Sequence, residues 1–375
     1  MAEVQGAQTI LARALPTGVD GARLTQWQLR DGVTWAQLIG RTAQALGQFN
    51  NDLMQKWGWL MFSTEEPYFE YPNGGSLTSA RVITDLDKLD PISEGTIAHQ
   101  LQLLPVGDAI GGTYFWMRDA RSAQITAQIN GVVNRIREKF EEDLLTRWLT
   151  NTENNFATSA YDVPFVRGAG GSVDFVPPAH GGETFSSAHD HYMGIDSDSY
   201  GYDDFLNQMA ETLQEHGHEA PYTAMVSRSD ISSYYALPDF VEPLDRRVVI
   251  VDRAAADTEG AGFFSRQPRE FGIVGGFQSE YGYIELRATA RIPTKYAGLA
   301  KSYGQNNMRN PLAVRVHPDE GFGAKVLTYT RADDTVPIKK LDVVMEYGVG
   351  VGMDRTNGVA GYLDSSGTWT NPTIS

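Results

Sequence analysis

Five of the seven histidines of this chain lie between His180 and His218: His180, His189, His191, His216 and His218. Four of them form two His-x-His pairs, HDH at 189–191 and HGH at 216–218, with Asp190, Asp196, Asp198 and Asp203 close in sequence. Imidazole nitrogens and carboxylates together hold zinc and other divalent ions. On an extended chain residues i and i+2 share a face, so each pair could aim both rings at one ion. The spacing stops short of a zinc-hydrolase motif. An H-E-x-x-H helix counted from His218 finds Tyr222 where the second His belongs, and Pro221 interrupts the helix. Three readings stay open: histidines solvated in a polar loop, which the composition of the stretch favours; a pH-sensitive contact between subunits; and a metal site. In the second reading the neighbouring carboxylates are expected to raise the histidine pKa values, so that acid tightens the contact. On spacing alone no catalytic, cofactor-binding or metal-binding residue is assigned, and no cofactor is expected.

Other constellations are missing from the sequence. There is no G-x-x-x-x-G-K-[ST] loop and no G-x-S-x-G elbow. The GAGGS run at 168–172 opens no helical pattern, so it makes no phosphate cradle. The chain has no cysteine, which removes thiol chemistry and disulfides and fits a reducing compartment. A net charge of −16 argues against a sequence-reading nucleic-acid protein. Residues 151–220 hold twelve Asp and Glu against Arg167 as the fixed cation, a composition that reads as a solvated acidic region. No stretch approaches the length and apolarity of a membrane span, and the reading is of a soluble protein.

The elements that must position these residues follow from periodicity. Residues 151–200 are rich in Gly and Pro and read as loop. A short helix fits Tyr202–His216 through Phe205, Met209 and Leu213; Tyr222–Val226 reads as a buried strand, Asp230–Leu237 as a helix and Arg247–Asp252 as a strand. Strands are expected at Tyr281–Ile292, Leu312–Val316, Lys325–Tyr329, Leu341–Val351 and Gly358–Leu363. Thr356-Asn357-Gly358 is expected to form a hairpin turn between the last two. Gly348, Gly350 and Gly352 alternate on one strand face and predict close backbone packing there.

Toward the N-terminus, Trp35–Trp57 carries apolar residues at helical spacing, with Thr34 as its cap and Thr42 as the one polar step. The strongest pattern runs from Asp119 to Thr150, where Ile125, Ile129, Val132, Ile136, Phe140, Leu144 and Trp148 recur at steps of three or four, so one face of one long helix must be covered. Gly131 sits inside it and is a candidate bend. Ahead of it, Pro67–Ile83 and Thr96–Trp116 read as two extended arms around a turn at Asp85–Gly95, each able to reach on the order of 60 Å. Such a hairpin is marginal alone, so Ile83, Ile97, Leu101, Leu103 and Leu104 are expected to find cover on a neighbouring copy.

This order of elements resembles the tailed-phage major capsid protein of the Hong Kong 97 type over essentially the whole chain. The segments NPLAVRVHPDEGFGAKVLTY at 310–329 and VVMEYGVGVGMDRTNGVAGYL at 343–363 are similar to the closing strands of many such proteins. The resemblance implies an α+β fold divided into an N-terminal arm and helix at 1–58, an extended loop at 59–117, a peripheral domain with the spine helix at 118–200 and 302–375, and an axial domain at 201–301. It implies a structural subunit, not an enzyme, that assembles as hexamers and pentamers into an icosahedral shell in the host cytoplasm and encloses the phage genome without reading it. Scaffolding, portal or decoration proteins would be separate chains, with too little sequence ahead of the first helix for a scaffolding domain. Lys88 alone could serve a cross-link from the extended loop. An encapsulin-like cage of the same fold and a His-rich metal-dependent hydrolase are the competing readings.

Overall fold

The structure is a computed structural model of the 375-residue chain. It describes residues 28–73, 95–153, 163–168, 175–242, 272–331 and 338–374. The helices are α1 (Trp35–Trp57), α2 (Tyr114–Asp119), α3 (Ser122–Leu149), α4 (Tyr202–Glu215) and α5 (Ile231–Tyr235). The strands are β1 (Met61–Thr64), β2 (Tyr68–Asn73), β3 (Gly95–Gln100), β4 (Leu104–Thr113), β5 (Tyr192–Asp196), β6 (Tyr222–Ser227), β7 (Phe240–Val241), β8 (Ile273–Ser279), β9 (Gly282–Thr289), β10 (Tyr296–Ala300), β11 (Leu312–Arg315), β12 (Ala324–Arg331), β13 (Ile338–Val351) and β14 (Val359–Asp364). The chain is α+β, as the element order predicts. It separates into two compact units, one of residues 1–55, 103–141 and 315–348, the other of residues 56–102, 142–314 and 349–375.

In the first unit α1 begins where its sequence signal puts it. Gln37 N donates to the Thr34 hydroxyl at 3.2 Å and Thr34 N donates to the Gln37 side-chain oxygen at 3.0 Å, a reciprocal cap that satisfies two N-terminal amides. The polar step on its buried stripe is neutralised locally, because the Thr42 hydroxyl donates to Leu38 O at 2.9 Å. The long helix starts later than expected. Ala120 is extended (φ −73°, ψ 148°), which separates α2 from α3. The start of α3 is then held by Arg121 N donating to the Gln124 side chain at 3.0 Å and Ser122 N donating to Asp31 at 2.9 Å. All seven stripe residues from Ile125 to Trp148 are buried. In this unit Phe140 meets Phe322 and Tyr347 edge-on, with ring centroids 5.9 and 5.1 Å apart. β4, β13 and β12 form an antiparallel ladder, with Tyr347 opposite Leu104 and Ala324 opposite Met345.

Gly131 does not break α3, which is assigned as one element from Ser122 to Leu149. A Cβ there would meet only the Arg135 guanidinium at 3.5 Å, an ordinary contact. Gly131→Ala is therefore expected to stabilise the chain by about 1 kcal/mol, through helix propensity alone. Equilibrium denaturation measures it, and a lower midpoint would show that the glycine is needed for the shape of the helix.

The second unit is built on a seven-stranded sheet in the order β5-β14-β10-β6-β9-β8-β7. The β6–β9 and β14–β5 pairs are parallel. α4 lays Phe205, Leu206, Met209, Ala210 and Leu213 against a core that includes Val226, Ile284, Leu286 and Leu299. Trp148, from the end of α3, packs edge-on against Trp59 at 5.9 Å and lies where a Cβ on Gly298 would stand, 2.6 Å away. Two of the three alternating glycines are closely packed, as the pattern predicts: a Cβ on Gly350 would strike His99 and Leu101, and one on Gly352 would strike Asn310 O at 2.6 Å.

Several expectations change. The returning arm Thr96–Trp116 is not one strand. β3 pairs with β2, whereas β4 pairs with β13. Between β3 and β4, Leu101 is buried in its own chain with Phe62, Phe69, Tyr71, Val163, Val166, Phe175 and Ala313, so it needs no neighbouring copy for cover. The Thr356-Asn357-Gly358 hairpin does not form, because β14 pairs with β10 and β5, not with β13. Asn357 is instead buried and bridges loops, accepting from Lys301 N at 2.8 Å and donating to Lys301 O and Arg309 O. Strand β5 lies within a stretch read as loop, and β8 and β10 were not expected either. Residues 85–94 of the expected turn, Ile83, Lys88 and the strand at Arg247–Asp252 lie outside the described residues.

Candidate functional site

The histidine region folds within the second unit. His191 immediately precedes β5. Its backbone is fixed on both sides: His191 N donates to Val166 O at 3.1 Å and His191 O accepts from Ala360 N at 2.8 Å. His189 lies in the turn before it, where His189 N donates to Ser186 O at 3.1 Å. His216 is the C-cap of α4. The chain leaves that helix through a Schellman turn: Gly217 N donates to Gln214 O, His218 N donates to Leu213 O, and Gly217 takes a φ of +79° that favours glycine. This turn sends His216 and His218 to different places, so the HGH pair does not act as a pair.

His216 instead joins His189 and His191. Their Nε2 atoms are 2.8 Å (189–216), 3.0 Å (191–216) and 3.2 Å (189–191) apart. The ring centroids stand farther off, at 4.9–5.1 Å, so the rings splay outward and their tips converge. His191 is fully buried and the other two are half-buried. Phe185 packs on His216 and His189, with ring centroids at 4.2 and 4.7 Å. His191 Nδ1 lies 2.8 Å from Gly358 O, a carbonyl that only accepts; Nδ1 therefore carries the proton and Nε2 presents a lone pair.

Two of the four neighbouring carboxylates, Asp190 and Asp196, are used elsewhere, as is Asp204. Asp190 accepts from Tyr192 N at 2.8 Å, Asp196 accepts from Asp198 N at 3.0 Å and from the Ser199 hydroxyl at 2.8 Å, and Asp204 accepts from Gly201 N. Among the described residues the cluster consists of the three histidines alone. His218 faces Tyr303 and Thr356, at 3.0 and 2.9 Å, with Asp354 3.5 Å away. His180 packs over Gly217.

Two expectations from sequence are corrected here. His191 and His218 are buried and His189 and His216 half-buried, so these four are not solvated loop histidines; His180 is exposed. The pKa values of His189, His191, His216 and His218 are lowered, not raised. Burial pushes His189 down; burial, then His216 and His189, push His191 far down; burial, then His189, take His216 to about 3. His218 is also pushed down by burial, which outweighs the opposing pull of Asp354. The sequence signal that could have found the trio is Gly217 as the glycine just past a helix end: it makes His216 the cap of α4 and detaches it from His218.

No family model and no curated protein matches the sequence. Solved structures do. A chain of a structure described as Mycobacterium phage Patience is 17% identical over 91% of this chain and 92% of that chain, with a TM-score of 0.59. The mature capsid of bacteriophage PhiM1 is 13% identical over 81% and 85%, with a TM-score of 0.43. The capsid of a native GTA particle is 10% identical over 83% and 90%, with a TM-score of 0.46. At the two lower scores the likeness carries no argument of its own. The first spans both chains almost end to end, and this α+β chain has the fold of that phage protein.

Proposed function

We propose that this chain is a major capsid protein of the Hong Kong 97 type, a structural subunit that self-assembles into an icosahedral shell around a phage genome. The observation that carries the reading is the fold shared with the phage Patience chain over nine-tenths of both chains. The element order supports it: α1, the antiparallel β2–β3 pair, the long α3, a sheet-based unit with α4, and closing strands β11–β14. The protein works by self-association in hexamers and pentamers, not by catalysis, and resides in the virion after assembly in the host cytoplasm. Scaffolding, portal and decoration proteins are separate partners. By the sequence division residues 59–117 act as the extended loop, 118–200 and 302–375 as the peripheral domain, and 201–301 as the axial domain, whose sheet is completed by β5 and β14 from outside those bounds. Among the described residues no helix is long and apolar enough to cross a membrane.

Charge gives the reading a direction. Twelve carboxylates in residues 151–220 would repel a packed polyanion. Arg167 is already paired with Glu153 at 2.9 Å. We place this stretch on the outer face or at subunit contacts, with Arg30 and the arm residues Arg13 and Arg23, which lie outside the described residues, toward the lumen.

Negative-stain microscopy of the purified protein tests the proposal. Closed shells, or rings of five and six subunits, are the expected result, and nuclease-protected DNA in particles from infected cells separates a capsid from an enzyme-filled cage. A compact dimer or trimer that forms neither shells nor rings would overturn it.

A further inference from the structure

The three imidazole tips at 189, 191 and 216 pose a problem that hydrogen bonding alone does not solve. Each Nε2 of a neutral ring carries either a proton or a lone pair. With three atoms and two states, at least two must match. That matched pair, no more than 3.2 Å apart, then faces lone pair to lone pair or proton to proton. Protonating a ring puts charge into an enclosed trio and worsens the repulsion. A cation among the tips removes it, because all three nitrogens then present lone pairs to one acceptor.

The dimensions suit such an ion. Three points with these separations lie on a circle of radius about 1.7 Å, so an ion at the usual zinc–nitrogen distance of about 2.0–2.1 Å sits roughly 1 Å out of their plane. The angles between ligands would then be about 85–105°, as on one face of a tetrahedral or octahedral site. The surroundings suit it too. His191 is already in the required tautomer, because Gly358 O takes its other proton at 2.8 Å, the outer partner that metal-bound histidines commonly have. His216 sits at the C-terminal end of α4, where the helix dipole favours positive charge.

We propose that His189, His191 and His216 form a binding site for a divalent ion of the zinc class, which ties the turn before β5 to the C-terminal end of α4. Three nitrogen donors select zinc, nickel, copper or cobalt over magnesium and calcium, which take oxygen ligands. The role is structural. Among the described residues no carboxylate joins the cluster to serve as a general base, and water takes whatever positions on the ion the three rings leave open. The tie joins the approach to an edge strand to a helix on the sheet: β5 is the outermost strand beside β14, and α4 packs across the sheet.

The test uses the full chain, stripped with a chelator and titrated with zinc chloride by calorimetry. The expected result is one zinc per chain at micromolar protein, with a Tm that climbs as zinc is added, and no response to magnesium. His216→Gln and His189→Gln, both at half-buried positions, are expected to weaken zinc by about a hundredfold or more, since loss of even an outer-shell partner costs about 10–100-fold. His180→Gln, which alters a histidine outside the trio, should bind as the unaltered chain does. Zinc binding by the unaltered chain no tighter than by His216→Gln, or lost equally in His180→Gln, would overturn the site. If the trio variants do not fold, cobalt added to the stripped unaltered chain decides. An intense visible band from low-coordinate, nitrogen-ligated cobalt supports the site, and the weak spectrum of hydrated cobalt sinks it.

Discussion

Phe140→Asp is expected to abolish cooperative folding, not merely assembly. The side chain has no exposure and its ring lies edge-on to Phe322 and Tyr347 within the first unit. A carboxylate there loses two aromatic contacts and its own apolar burial, about 3–5 kcal/mol for truncation of a buried Phe. It also places a charge at a site with no solvent exposure, a further cost of several kcal/mol. A domain has only about 5–15 kcal/mol to lose. Ile136→Asp, one turn away at 2% exposure, should behave the same way. Gln128→Asp, at an exposed position of the same helix, should stay within about 0.5 kcal/mol. Thermal and urea unfolding followed by circular dichroism distinguish these outcomes. A soluble Phe140→Asp protein with a sharp transition would mean that the stripe is not the core it is taken to be.

The second large effect is expected at Arg355. Its side chain is almost wholly buried, and burial brings its pKa down to about 10. It remains a cation at neutral pH, held by Nε donating to Pro164 O at 2.9 Å and Nη2 donating to Phe165 O at 3.2 Å, with the guanidinium 4.4 Å from the Phe175 ring centre. These bonds hold the 163–168 segment, which in turn accepts from His191 N through Val166 O. Arg355→Met fills much of the volume but leaves two buried carbonyls unanswered, at about 1–3 kcal/mol each. The expected loss is roughly 2–5 kcal/mol, read as a lower urea midpoint with an unchanged slope. Arg355→Lys is not expected to restore it, because a single ammonium nitrogen does not reproduce the planar fork. A midpoint within experimental error of the unaltered chain would show that the segment is held by its apolar residues alone.

Much of the fold was legible because its signals are local. The α1 boundaries follow from Thr34 and from apolar spacing that ends at Trp57, and the α3 stripe follows from a period that only a helix satisfies. The strands β6, β12, β13 and β14 announced themselves as apolar or alternating runs. Other features depend on distant partners. Asp31 sets where α3 begins, and it lies 91 residues away from Ser122. The sheet order, with β14 beside β5 and β10, follows from long-range pairing that no turn motif encodes, which is why Thr356-Asn357-Gly358 read as a hairpin and is not one. The strand β5 is too short, and too surrounded by Gly, Pro and Asp, to rise above the loop composition around it.

The candidate site divides in the same way. The sequence by itself determined which side chains were present, the histidine-rich stretch with no cysteine, and a helix ending near His216. It also determined that charge would be negative and that one long helix would need cover. Only the tertiary structure decided which histidines meet. A Schellman turn at Gly217 separates His216 from His218, and the backbone hydrogen bonds of His191, N to Val166 O and O from Ala360 N, hold it in place opposite His216. Pairing by sequence suggested two independent pairs. Packing made one trio and left His218 to Tyr303 and Thr356, because convergence at 3 Å is a property of how α4 lies against the approach to β5 and not of spacing along the chain.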